Sequence, residues 1–364
     1  MNLKVGKQEL FEKLSDIQNI VEKRNTMPVL SHFLLDAKKK GAFIQATDLE
    51  TAIKEPVELV SGAEVKLCIP ARKFFEIIRE VEGDITIETE DSGWIRVRAG
   101  LSSFRLACLP PEEFPQWPAM AEAEEFQAPA PLLGEMLEKT IYASGESDTR
   151  YTLNGLLFHL TPQGLTVVGT DGHRMAVISK PLESPLKEEK KVIIPRKAAS
   201  ELRRVLEKDG TVSVLVGKNH VLFKVADVEF LTRLIEGTYP NYTQVIPASN
   251  DKKCIVEREG FIKALRRVSV MSRERSNAVK ADISEGGLRL SSSNPDLGEA
   301  SDELPADYKG EPLTTGYNAR YLLDALNALS SEKVSLELTD PLSPTLLRAE
   351  GDEDYRCVVM PMRI

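Results

Sequence analysis

CIPARKFFEIIREVEGDITIETE, residues 68–90, is the stretch from which the rest of the chain can be read. Pro70 introduces a short helix, and ITIETE then alternates apolar and polar residues with period two, the pattern of a strand covered on one face. The same succession returns as IIPRKAASELRRVLEKDGTVSVLV around Pro195, and again as TTGYNARYLLDALNALSSEKVSLELTD around Asn318. A second landmark keeps nearly the same interval. FIQATDLETAI carries Thr47-Asp48, LTVVGTDGHRMAV carries Thr170-Asp171 123 positions later, and LRLSSSNPDLGEA carries Ser293-Asn294 another 123 on. A third landmark closes each unit: Phe114-Pro115-Gln116-Trp117, then Tyr239-Pro240-Asn241-Tyr242, then the terminal Met360-Pro361-Met362-Arg363. Three ordered landmarks recurring every 121 to 125 residues predict an internal triplication.

Each unit opens with an amphipathic helix, read from Leu10, Leu14, Ile17 and Val21 in the first, Leu133, Leu137 and Ile141 in the second, and Ile262, Leu265 and Val268 in the third. Strands follow, then the second helix, then strands again, among them WIRVRA, TVSVLVG, HVLFKVADVEFL and VSLELT. Two helices beside antiparallel strands define an α+β unit. Boundaries are expected in the Pro- and Glu-rich stretch 115–131 and after Pro247, which gives three domains, 1–120, 127–247 and 248–364.

Length and composition exclude several classes. A chain of 364 residues, 42% hydrophobic and 28% charged, folds, and exceeds a single small module. With no apolar run of about 18 residues and a polar amino terminus, MNLKVGKQELFEK, it is expected to be soluble and cytoplasmic, with no membrane partner. Cys68, Cys108, Cys254 and Cys357 stand singly, and His32, His159, His173 and His220 form no HExxH or HxxxH pair. The expectation is buried free thiols, no metal and no cofactor.

The net charge of −9 argues against an ordinary DNA binder, but local charge does not follow it. Residues 261–275 hold Lys263, Arg266, Arg267, Arg273 and Arg275 against Glu274. Residues 194–208 hold Arg196, Lys197, Arg203, Arg204 and Lys208 against Glu201 and Glu207, and residues 70–79 hold Arg72, Lys73 and Arg79 against Glu76. A basic face recurring on corresponding helices meets phosphates by Coulomb attraction without reading bases.

The string Gly169-Thr170-Asp171-Gly172-His173-Arg174 admits an acid–base reading through Asp171 and His173, which would make the chain a hydrolase. It comes without a GxSxG or glycine-rich phosphate loop, and the first unit has Thr47-Asp48-Leu49-Glu50 at the same place. The shared Thr-Asp therefore reads as turn chemistry, and His173 and Arg174 as additions suited to a binding site. A sequence-specific DNA-binding regulator is the other alternative. The end of the chain, Val358-Val359-Met360-Pro361-Met362-Arg363-Ile364, stays apolar where termini are usually polar, as a core strand or the lip of an apolar groove would be.

Taken together, TDGHRMAV, the PARKFFEIIR and IPRKAASELRR helices, the Arg24-Asn-Thr-Met-Pro28 turn and the terminal VVMPMRI resemble the bacterial DNA polymerase III beta subunits, the replicative sliding clamps, from end to end. The resemblance implies a non-catalytic processivity factor: a head-to-tail homodimer closing a ring of six domains around double-stranded DNA, with helices lining the hole and sheets outside. It implies a groove for short peptide tails of the polymerase, the clamp loader and other replication or repair proteins. Matching motif by motif puts Leu153, Thr170, Gly172, His173, Arg174 and Met175 at that groove, with Pro240, Val245 and Leu342, and Val358, Met360, Pro361, Met362 and Arg363. DNA contacts fall on Arg24, Arg72, Lys73, Arg150, Arg196 and Lys197, and the dimer joint on Phe104 and Leu106 against Val270 and Met271. Gln244, Pro344 and Thr152 stand where a family relative carries Arg, Ser and Tyr.

Overall fold

The computed structural model describes every residue except 1, 22–26, 40, 91–92, 121, 184–185, 187, 208–209, 248–249, 273–275 and 364. Helix α1 spans Lys7–Ile17, α2 Ala71–Glu80, α3 Ala130–Ile141, α4 Arg196–Val205, α5 Arg258–Ser269 and α6 Ala319–Ala328. Among the described residues one order of elements occurs three times: a strand, a helix, four strands, a helix, three strands. The first repeat differs only in splitting its fourth strand into Thr51–Val57 and Leu59–Gly62. The α+β class and the triplication therefore stand as read.

By compactness the chain divides into two units, residues 1–133 with 200–234, and residues 134–199 with 235–364. The first unit holds two sheets. One runs Leu59–Gly62, Asn2–Val5, Ile85–Thr89, Trp94–Ala99, Ser102–Ala107. The other runs Glu124–Pro129, Thr211–Val216, His220–Val225, Val228–Arg233, Thr51–Val57, Gly41–Thr47, His32–Lys38, Val65–Pro70. This second sheet joins strands of two repeats through the antiparallel pair Ala52↔Leu231 and Ile53↔Phe230. The second unit holds a twelve-stranded sheet that joins Arg174–Pro181 to Tyr355–Val359 in the same way, with Met175↔Val358 and Ala176↔Cys357 in register.

Helix α2 shows why the opening stretch folds as it does. Ala71, Phe74, Ile77 and Ile78 are buried at helical spacing, while Arg72, Lys73 and Arg79 stay exposed. Burying each large apolar side chain contributes about 1.5–3 kcal/mol, and the Phe74 ring lies 5.6 Å from that of Phe33 in the underlying sheet. Helices α5 and α6 are closed by side chains: Glu257 accepts from the N–H of Glu259, and Asn318 from the N–H of Arg320.

Two local readings are corrected. The first helix ends at Ile17, and the chain continues to Val21 in turns bonded to the Ile17 carbonyl. HVLFKVADVEFL is a hairpin of two strands, His220–Val225 and Val228–Arg233, turning at Ala226 with φ 48 and Asp227. The four cysteines are free; Cys68, Cys254 and Cys357 are buried as expected, while Cys108 is only half-buried, a correction to that reading. Burial raises the thiols of Cys68 and Cys254 to about 12 and those of Cys108 and Cys357 to about 11.

Candidate functional site

The TDGHR string is a tight strand-to-strand turn whose side chains cap their own backbone. Thr170 Oγ1 donates to the Arg174 carbonyl at 2.6 Å and accepts the Gly172 N–H at 3.0 Å. Asp171 Oδ1 accepts the N–H of His173 at 2.9 Å and of Arg174 at 3.0 Å. Gly172 takes φ +83, and a Cβ there would lie 2.8 Å from the Arg150 guanidinium. In the first repeat Thr47 and Asp48 make the same set of bonds, to the carbonyl of Thr51 and the N–H groups of Leu49, Glu50 and Thr51. The Thr-Asp pair is turn chemistry in both.

What the second repeat adds is Arg174, only 10% exposed at its side chain. Nε meets Asp171 Oδ2 at 3.1 Å, Nη1 meets Asp324 Oδ2 of α6 at 2.5 Å, and Nη2 donates to the Tyr142 carbonyl at 2.7 Å. Its guanidinium also lies 4.6 Å from the Tyr321 ring centre and 5.4 Å from that of Tyr142. Beneath it, the Tyr142 hydroxyl sits 3.2 Å from both the Tyr355 hydroxyl and the Cys357 sulfur, and Tyr355 donates to the Lys139 carbonyl at 2.7 Å. Burial pushes both tyrosines up and keeps them neutral donors.

This geometry removes the acid–base reading. Both Asp171 oxygens are committed to the turn and to Arg174, and the His173 ring stacks on Tyr321 at 6.3 Å. The hydrolase alternative is set aside: the string builds a scaffold.

Next to the turn lies one continuous apolar cluster: Leu153, Leu157, Val168, Met175, Val177, Ile193, Tyr239, Leu346 and Val358, with Ile235, Tyr242 and Ile246 half-buried against it. Of the groove candidates, Leu153, Met175 and Val358 belong to this cluster, and Thr170 is tied to it by its N–H donating to the Tyr239 hydroxyl at 3.1 Å. The Met360 N–H donates to the His173 carbonyl at 2.9 Å, and the Met362 N–H to the Gly316 carbonyl at 2.8 Å. Met360, Pro361 and Met362 are half-buried, and Arg363 is exposed. Val245 and Leu342 are exposed apolar side chains, 39% and 66% accessible, and Pro240 is exposed too. Leu342 sits on a turn capped by Asp340, just before the strand that carries Leu346. Among the departures from the family, Gln244 is exposed, Pro344 half-buried, and Thr152 packs near Gly237.

Several partners escaped the sequence reading. Val168 and Val177 face each other across neighbouring strands, each two residues from a recognised position, so strand periodicity held the signal. Asp324, Tyr142 and Tyr355 meet Arg174 or one another only through tertiary contacts, and no local pattern announces them.

The basic candidates lie on different elements. Arg72 and Lys73 are exposed on α2, 72% and 62% accessible, and both pair with Glu76; the hydrogen bond from Lys73 holds that carboxyl below its usual range. Lys197 is exposed on α4. Arg196, at the start of α4, donates to the Ser144 carbonyl and pairs with Glu146 at 3.0 Å, and burial lowers its pKa. Arg150 forks onto Asp148 at 3.0 and 2.8 Å, a hydrogen bond that holds the Asp148 carboxyl at about 2. Arg24 lies outside the described residues. Correspondence of the basic helices holds for α2 and α4 only. Of the third cluster, Lys263, Arg266 and Arg267 lie on α5, the first helix of its repeat, and Arg273 and Arg275 lie outside the described residues, while α6, the true counterpart, carries Arg320 against Asp324.

Phe104 and Leu106 lie on the sheet-edge strand Ser102–Ala107. Val270 follows α5 with 76% of its surface exposed, and the Met271 methyl lies 3.3 Å from where a Cβ on Gly298 would stand.

A scaffold of three like repeats, with a buried apolar cluster beside the TDGHR turn and exposed basic side chains on its helices, is that of the clamp class. The chain belongs to the DNA polymerase III beta subunit family, a non-catalytic polymerase component. It matches the family's N-terminal domain over residues 1–118, its central domain over 127–241 and its C-terminal domain over 243–363. It is 34% identical over 368 residues to the beta sliding clamp of Escherichia coli K12 and 33% identical over 369 to that of Pseudomonas putida KT2440, covering 100% of each pair. Among solved structures it is similar to the Pseudomonas aeruginosa beta subunit (TM-score 0.95, 32% identity, 100% of both chains). It is likewise similar to a Pseudomonas aeruginosa sliding clamp bound to griselimycin (TM-score 0.96, 32% identity, 100% of both chains). No described helix is long and apolar enough to cross a membrane.

Proposed function

We propose that this chain is a cytoplasmic DNA sliding clamp: two copies join head to tail in a ring around duplex DNA and tether the replicative polymerase to its template. The observation that carries the reading is the strand pairing between repeats. In two places the third of the four strands between the helices of one repeat pairs antiparallel with the last strand of the next: Thr51–Val57 with Val228–Arg233, and Arg174–Pro181 with Tyr355–Val359. The remaining members of this set are Gly298–Asp307 and Ser102–Ala107. Ser102–Ala107 ends its sheet, and residues 298–305 pair on one side only among the described residues. Joining these two edges between subunits repeats the internal junction and closes the ring, with Phe104 and Leu106 of one copy against Val270 and Met271 of the other. The exposed Leu101, Leu297 and Val270 near these edges support that joint.

Three domains per chain, 1–120, 127–247 and 248–364, put six in the ring. Arg24, Arg72, Lys73, Arg150, Arg196 and Lys197 then face DNA. Enclosure holds the duplex, so attraction over a Debye length of about 8 Å suffices, and a net charge of −9 is compatible with sliding. The apolar cluster beside the TDGHR turn takes short peptide tails of the polymerase, the clamp loader and other replication proteins, with the exposed Val245 and Leu342 as its lips. Two or three anchors at about 1.5–3 kcal/mol each, less the ordering of the tail, leave affinity near micromolar, weak enough for exchange. The proximity gained by tethering makes rebinding fast. The test is retention on a nicked circular plasmid after loader-dependent assembly. Loss of the protein on linearisation is expected, and equal retention on linear DNA would sink the reading.

A further inference from the structure

The junction between the first and second repeats is built like the junction that carries the groove. Ala52, Leu231 and Leu222 form a cross-strand ladder that matches Met175, Val358 and Leu346 pair for pair. Leu30, Leu34 and Phe114 occupy the places of Leu153, Leu157 and Tyr239. The Arg233 N–H donates to the Glu50 carbonyl as that of Met360 does to His173. The capped turn is common to both.

Yet the apolar residues of this first junction fall into two separate clusters. One holds Val29, Leu30, Leu34, Cys68 and Phe114; the other holds Ala52, Leu222 and Leu231. The break falls where Gln45 faces Lys54 across the strands, the positions that Val168 and Val177 fill in the other junction. Lys54 pairs with Glu229 at 3.4 Å, and its ammonium lies 4.9 Å from the Phe43 ring centre and 5.9 Å from that of Trp117. Trp117 and Met120, half-buried, cover Ala52, Leu222 and Leu231. The counterpart of Trp117 is Tyr242, whose hydroxyl is fixed 2.7 Å from His159 Nδ1, while Glu189 holds the other ring nitrogen at 2.9 Å. The first repeat has Asp36 at the His159 position and no described bond of that kind to its linker aromatic.

We infer that the first junction is a second peptide groove occupied in cis by Trp117 and Met120 and divided by the Gln45–Lys54 pair, so that each chain takes one partner tail instead of two. Trp117 and Lys54 are thus specificity-determining: they set the number of partners a ring can hold. This inference rests on the peptide-groove reading above. A charged amine across an apolar floor must lose its hydration before a leucine can settle there, whereas two valines offer an unbroken surface.

The experiment titrates a fluorescein-labelled tail peptide of the replicative polymerase into the full chain and reads the number bound per chain. Wild type is expected to bind one, and Lys54→Val with Trp117→Ala two. Combining that pair with deletion of residues 360–364 must leave one binding event. If the double variant melts early, Trp117→Ala alone, which leaves every strand residue in place, must still admit a weaker second peptide. One peptide per chain in both variants overturns the inference and leaves the groove reading intact. No peptide on wild type overturns the groove reading itself.

Discussion

Arg174 and the Arg72–Lys73 pair put the same kind of charge to opposite uses. Arg174 is 10% exposed, touches two carboxylates and a carbonyl, and lies against two tyrosine rings. Arg72 and Lys73 are 72% and 62% exposed and share one glutamate. A desolvated guanidinium with all its partners fixes geometry and is costly to remove, while a hydrated cation paired at a helix surface costs almost nothing to hold and can exchange its glutamate for the phosphate that the proposed clamp would bring. Charge alone does not reveal function; burial decides between architecture and attraction.

The sharpest way to break this contrast is Arg174→Ala. It leaves the Asp171 and Asp324 carboxylates without their shared cation, and stability should fall by about 3 kcal/mol, read as an earlier thermal transition, together with peptide binding. A melting curve like wild type would show that the network is ornamental. Deleting residues 360–364 separates the two effects: peptide affinity by fluorescence polarisation should fall at least about a hundredfold while the melting transition barely moves. Replacing Val270 and Met271 by alanine probes exposed apolar atoms in the same spirit, and light scattering should then report monomers of unaltered fold. An unchanged dimer mass would remove that joint.

Removing Arg72 and Lys73 together should alter stability by less than about 0.5 kcal/mol, yet flatten the salt dependence of DNA retention, by about 0.9 in log–log slope for each phosphate no longer neutralised. The smallest effect concerns Asp148, the partner of Arg150. Its carboxyl is held at about 2, so whatever stability this pairing gives is full above the ordinary carboxylate range, declines as pH falls below it, and is gone once pH passes about 2. NMR titration should find Asp148 still charged at about pH 3, and Arg150→Ala should return it toward about 3.9.

How much of this was legible follows from the range of the interactions. Periodicity and the 123-residue interval carry the repeats, the helices and the shared turn because those patterns are local. Leu153, Met175 and Val358 could be picked out through the resemblance. Their floor, Val168 and Val177, was visible only as alternation on strands already found. The Arg174–Asp324 bond spans 150 positions, and Tyr142 to Tyr355 spans 213, so only the folded chain brings them together. The third basic cluster misled because a run of arginines marks a helix face without saying which helix of the repeat bears it.

The suppressed acidity of the cysteines has a practical corollary. At neutral pH four thiols between about 11 and 12 carry almost no thiolate, so a maleimide would find little on the native protein. A single cysteine introduced on the strand at Ser103 would be the one reactive handle against a silent background. In the proposed ring, a fluorophore there reports opening of the joint in real time without first stripping the natural sulfurs.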